Sequence, residues 1–223
     1  MTRPWETLDR IATEEGVLEL RRRGETDYLI MVAGRVLMAS AAHRSEAVLG
    51  EVACEPVARR HRPRVLIGGL GMGFTLRAAL DTLPPDAEVT VAELEPVVVR
   101  WCRGPLAELS SRAVDDPRVR VAIGDVADLV GRAAKAGGAA RYDAILLDLY
   151  EGPRESSGGA SDPFFGRRAL ATTRRALTRG GVFAVWSEDP DAPFERRLAA
   201  AGFEVERLRP KSGGPRHVVY LSR

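Results

Sequence analysis

Asp148 and Glu151 stand three residues apart in DAILLDLYEGP, where an apolar strand-like run gives way to a glycine- and serine-rich stretch. Two carboxylates at that spacing can hold a cationic amine, align it and accept its proton during a transfer; two solvated loop acids are the competing reading. Tyr150 lies between them, and the loop 151–163 is expected to close over a substrate. Three other strand-like runs also end in groups that could do chemistry. VLIGGLGMGF turns through Gly69-x-Gly71-x-Gly73, VTVAELEP delivers Glu93, and VRVAIGD delivers Gly124 and Asp125. The glycines let backbone approach a ligand closely, and the helix that follows presents free N–H groups to an anionic moiety. Glu93 can accept hydrogen bonds from two vicinal ribose hydroxyls. Asp125 can take the exocyclic amine of adenine, or cap the helix beginning at Val126, or do both. Phe74 occupies the place of the last glycine of a dinucleotide fingerprint, which turns the expectation from NAD toward S-adenosylmethionine.

The elements needed to position these groups follow from periodicity. From residue 63 the pattern reads strand VLIGG, helix 73–82, strand EVTVAEL, helix 96–110, strand VRVAIGD, helix 126–136, strand DAILLDL, helix 165–178, strand GVFAVWS and helix 192–201. FEVERLRP and HVVYLSR then close the chain as a hairpin. This alternation predicts an α/β fold: a Rossmann-like, doubly wound, seven-stranded sheet with right-handed crossovers and an antiparallel last strand. Residues 16–41 alternate apolar and polar side chains around two turns and predict a small N-terminal β appendage. A helix over 44–60, with Ser45 as its cap, links the two. The division is therefore 1–62, β appendage and linking helix, and 63–223, ligand-binding domain.

Composition excludes several classes. The 223 residues are 45% hydrophobic, enough for one sizeable core. No run of 18 apolar residues and no apolar leader is present, so a cytoplasmic protein without membrane contact is expected. The formal charge of +2 comes from arginines offset by 31 acids, without a basic run, so nucleic acid is not an expected partner. Cys54 and Cys102 are read as buried free thiols. No metal-ligand spacing is seen, and His43, His61 and His217 form no constellation.

The order of glycine turn, VAELEP, DPRVRVAIGD, YDAILLDLYEGP, a Phe-Phe segment and ALTRGGVFAVW resembles the spermidine synthase family of polyamine aminopropyltransferases over roughly residues 16–190. The resemblance implies decarboxylated S-adenosylmethionine and putrescine as substrates, and a homodimer or tetramer built partly through the N-terminal sheet. It makes Glu93 the ribose-binding acid, Asp125 the adenine-binding acid, and Asp148 with Glu151 the pair at the reaction centre. Departures from the family pattern point elsewhere. Met72 stands for the acid of the glycine loop, Leu49 and Gly50 for a Tyr-Gln pair after Glu46, Trp186 for a glutamine, and Glu151 for an aspartate; the chain also ends before the family's C-terminal helices. An ammonium left unpaired in an apolar pocket costs several kcal/mol. The expectation is therefore an S-adenosylmethionine-dependent methyltransferase acting on a small-molecule or peptide acceptor other than putrescine, with Trp186, Tyr150, Phe164 and Phe165 walling the acceptor site. Two alternatives stand beside it: a diverged aminopropyltransferase that holds its amine through Asp148, Glu151 and Glu188, and a non-catalytic nucleoside-binding module.

Overall fold

The computed structural model describes residues 3–150, 152–153, 161–210 and 217–223. Runs of Val, Leu and Ile too apolar to face water on either side form the centre of the larger sheet: β5 (Arg64–Gly68), β6 (Glu88–Glu93), β8 (Tyr142–Leu147) and β9 (Leu177–Ser187). With β7 (Val119–Ile123), β10 (Val205–Leu208) and β11 (Val218–Ser222), these make seven strands in the order β10-β11-β9-β8-β5-β6-β7. All neighbours from β9 to β7 run parallel, and β11 is antiparallel to both β9 and β10.

Strand order reverses between β5 and β8, and open α/β sheets bind ligands outside the carboxyl ends of strands at such a switch point. The two strands are tied there, Asp148 N–H donating to the Gly68 carbonyl at 2.9 Å. Gly69, at φ 89°, lets the chains touch, since a Cβ there would collide with the Asp148 carbonyl.

Helices cover both faces. One face carries α1 (Arg44–Cys54), α2 (Phe74–Thr82) and α3 (Pro96–Arg103); the other carries α4 (Val126–Ala136), α5 (Arg167–Ala176) and α6 (Ala192–Ala200). Among the described residues no helix is long and apolar enough to cross a membrane. Alternate residues of β9 feed the two cores: Val182, Ala184 and Trp186 face α1, whereas Phe183 and Val185 face the α5 side. Gly50 sets the crossing of α1 and α2, because a Cβ there would stand 2.6 Å from the Thr75 carbonyl.

The smaller sheet is a four-stranded antiparallel meander, β1 (Glu6–Thr13), β2 (Gly16–Arg23), β3 (Asp27–Val32) and β4 (Arg35–Ala39). Its inner face (Leu18, Leu20, Tyr28, Ile30, Val32) joins the same apolar cluster as α1, α2 and α3. Strand β1 was not expected from the sequence. ETLDRIAT has no fully buried residue and is studded with charge; it is held by its ladder to β2 and by the Trp101 indole donating to Asp9 at 2.8 Å. Three boundaries also differ from expectation. Helix α1 stops at Cys54 and tightens into a single 3-10 turn containing Pro56; α3 stops at Arg103, before Gly104-Pro105; and β9 begins at Leu177, where a helix was expected.

Candidate functional site

Glu93 ends β6 as a buried carboxylate, 8% exposed. Its Oε2 accepts the Leu70 N–H of the glycine turn and its Oε1 the Glu95 N–H, both at 2.9 Å. Burial pushes its pKa up, and these N–H bonds oppose the shift. Glu93 thus ties turn to strand, and each oxygen keeps a further lone pair for a hydroxyl donor. Gly124 follows β7 at φ 138°, its N–H on the Glu93 carbonyl at 2.9 Å. Asp125 is exposed and caps α4, accepting the Ala127 N–H at 2.8 Å.

Two residues at these strand ends carried no weight in the sequence reading. Leu94 and Ile123, 59% and 55% exposed, are large apolar side chains standing in solvent beside Glu93 and Gly124. Exposed apolar groups at adjacent strand ends suit a flat ring such as a purine. Their signal was available: an apolar residue directly after, or directly before, the polar group that closes a strand.

Asp148 follows β8 as a half-buried carboxylate. Its Oδ2 accepts the Thr75 hydroxyl at 2.5 Å, and the same hydroxyl lies 3.2 Å from the Glu46 carbonyl. Burial first, and the nearby charge of Glu46 second, raise its pKa from 3.8 to about 7. Glu46 is itself buried, in the first turn of α1. Ser45 does not cap α1 as expected: His43 holds the cap position without a side-chain bond, and the Ser45 hydroxyl donates to Glu46 Oε2 at 2.6 Å. His217 Nδ1 lies 3.1 Å from Ser45 Oγ, and its ring meets the Trp186 ring edge-on at 5.0 Å. The histidines therefore do not all lie apart from the chemistry: His217 joins a cluster with Ser45, Glu46, Thr75 and Asp148. Among the described residues no Lys or Arg forms an ion pair with Glu46 or Asp148.

Other expected site residues lie elsewhere. Leu49 is fully buried in the core between α1 and α2, so it does not wall an acceptor site. Met72 is also fully buried, so its side chain turns away from any ligand; its N–H donates to Met38 Sδ at 3.3 Å. Phe164 and Phe165 pack on the α5 side of the sheet, opposite Trp186, and the structure does not bring them together. Phe164 instead lines a cavity of about 270 Å³ with Val126, Ala127 and Leu147, beside the Asp125 cap. Trp186 is half-buried, and its indole N–H has no partner among the described residues. Tyr150 is 40% exposed beneath the Arg35 guanidinium, 5.7 Å from its ring centre. Glu151 and most of the loop 151–163 lie outside the described residues; the described Gly152 is buried and packs on the Trp186 backbone. A larger cavity, about 710 Å³, opens between the small sheet, α1 and α2 and contains none of the expected site residues. Both cysteines are buried free thiols, raised to about 12 by burial.

The model of the spermine/spermidine synthase domain matches residues 47–195. The chain belongs to the spermine/spermidine synthase family. A polyamine aminopropyltransferase of Pyrobaculum calidifontis is 34% identical over 155 residues, covering 67% of this chain and 52% of that protein. That of Mycobacterium tuberculosis is 30% identical over 56% of this chain and 23% of its own length. The chain thus spans about half or less of these relatives. Among solved structures, spermidine synthase from Thermotoga maritima superposes with a TM-score of 0.73 at 17% identity, covering 97% of this chain and 72% of that one. Human methyltransferase-like protein 13 in complex with SAH gives 0.59 at 20% identity, covering 82% of each chain. These likenesses establish the Rossmann-like fold.

Proposed function

We propose that the protein transfers an aminopropyl group from decarboxylated S-adenosylmethionine to an amine. The observation that carries this reading is the pair Glu46 and Asp148: a buried carboxylate and a half-buried one joined through the Thr75 hydroxyl, the second raised first by burial and then by the charge of Glu46, with no ion pair to Lys or Arg among the described residues. Such a pocket is complementary to an ammonium, because an amine brought there replaces like-charge repulsion with two charge-assisted hydrogen bonds. The argument for a methyl group and a weakly cationic acceptor rested on Leu49, Gly50 and Trp186, with Met72 bearing on the donor. Leu49 and Gly50 belong to the helix crossing and Met72 to the core, so of these only Trp186 stands beside the acids, against His217. The relatives' name, polyamine aminopropyltransferase, fits the same reading.

In this reading the glycine turn, Glu93 and Asp125 hold the adenosyl group, with Leu94 and Ile123 on the faces of its base. Asp148 takes a proton from the acceptor, so the free amine presents its lone pair to the carbon bound to sulfur. The new C–N bond forms as the C–S bond breaks, with the electron pair left on sulfur as a thioether. A carboxyl near pH 7 in affinity is matched to that task at neutral pH.

Incubation with decarboxylated S-adenosylmethionine and a panel of diamines should release 5′-methylthioadenosine together with an aminopropylated amine. Methylated product and S-adenosylhomocysteine from S-adenosylmethionine would instead establish methyl transfer, the reading that the fold's likeness to a methyltransferase favours.

A further inference from the structure

We propose that Met38 is a specificity-determining residue, whose thioether closes the glycine turn to a cofactor carboxylate so that the site selects a carboxylate-free adenosyl sulfonium. The proposal rests on the adenosyl-sulfonium reading given above. An ionised carboxylate entering a buried turn must exchange its water for N–H donors or a cation. Four donors of this turn are already engaged. Gly69 N–H bonds the Ala92 carbonyl at 2.9 Å, Gly73 N–H the Leu70 carbonyl at 2.8 Å, and Leu70 N–H the Glu93 carboxylate at 2.9 Å. Met72 N–H bonds Met38 Sδ, a weak acceptor that a carboxylate oxygen could displace if the thioether were not seated there.

Met38 is seated closely. It projects from β4 of the small sheet onto the side of the turn that Gly71, at φ 52°, leaves without a side chain. A Cβ at Gly71 would stand 3.0 Å from both Sδ and Cε of Met38. The acids that the structure places against the turn are Glu93, bonded to Leu70 N–H, and Asp148, whose backbone touches Gly69. A carboxylate in this place meets a thioether and acidic neighbours. A chain ending only in an ammonium needs no turn N–H and is attracted by the same acids.

S-Adenosylmethionine and its decarboxylated form differ only in this group, so calorimetric affinities of the two give the selectivity without any need for turnover. The wild-type protein should bind the decarboxylated donor at least about tenfold more tightly. Met38→Ala frees the Met72 N–H and the space above Gly71; it should narrow the ratio by about tenfold, through tighter binding of S-adenosylmethionine. Met38→Leu fills the space but removes the sulfur acceptor, and serves if the alanine variant does not fold; it should shift the ratio the same way by less. A ratio that neither variant moves, or a wild-type protein that takes both donors equally, overturns the proposal and leaves the adenosyl reading intact. A wild-type protein that binds neither donor refutes the adenosyl reading, and this proposal with it.

Discussion

The adenosyl half of the cleft and the acceptor half are assembled from different amounts of chain. Glycine turn, Glu93 and Asp125 sit at the ends of three adjacent parallel strands, β5, β6 and β7, and their contacts are with backbone of the same segment or one strand away. Glu46, Thr75, Asp148, Trp186 and His217 come from α1, α2, the end of β8, the end of β9 and the start of β11, and they meet through side chains. The first half is rigid by virtue of the sheet. The second depends on helix α1 packing across the sheet and on Gly50 letting α1 and α2 approach. The adenosyl half should therefore tolerate changes at its rim, whereas the acceptor half should respond to single charges.

The largest effect is expected at Asp148. Asp148→Asn should lower kcat/KM by about a thousandfold, in the range for loss of a general base, while 5′-methylthioadenosine still binds. Its effect on stability has the opposite sign. An acid whose folded-state pKa, about 7, lies above its ordinary 3.8 favours folding when protonated; that contribution is present below pH 3.8 and is lost as pH rises through about 7. Thermal melts at pH 8 should show the asparagine variant more stable than wild type, with the difference vanishing near pH 4. Transfer by the wild-type protein should rise with pH through about 7 as the carboxylate forms. A wild-type melting temperature that does not fall relative to the variant over that range would show that Asp148 is not held protonated by burial.

Next comes Glu93→Ala, which removes both the ribose acceptor and the anchor of the turn. Affinity for 5′-methylthioadenosine by calorimetry should drop about a hundredfold. If only the acceptor half suffers, the division between halves is wrong. Glu46→Gln should raise the KM for the amine about tenfold with little change in nucleoside affinity, and should lower the pKa of Asp148, read from the pH profile, because the like charge is gone. The smallest effects belong to Leu94→Ala and Ile123→Ala. Each should weaken nucleoside binding about three- to fivefold, from lost apolar contact with the base, and leave melting temperature unchanged, since both side chains are already exposed.

Much of the adenosyl half was legible because strand periodicity marks where each strand ends, and open α/β sheets use those ends. The glycine spacing, Glu93 and Asp125 follow from local pattern alone, and so do the succession of strands and helices and the closing hairpin. Helix α3 was read too long because apolar periodicity continues through the 3-10 turns beyond Gly104, and β1 was missed because its residues are charged on both faces. In the acceptor half, Leu49 looked like a pocket residue because it lay one turn from Glu46 on the same helix, but the packing of α1 into the core buries it fully. Met72 looked like a ligand-facing residue because it lay among glycines, yet the turn directs its side chain into the core.

The sequence by itself determined the sheet, its ligand-binding edge and the acid at each strand end, because backbone hydrogen bonding and alternating burial are properties of short segments. Only the tertiary structure decided that Glu46 opposes the ionisation of Asp148, that His217 reaches Ser45 and that Met38 covers Gly71. Each of these joins residues far apart in the chain, and their meeting depends on how α1 and the small sheet pack against the large one, which no local pattern encodes.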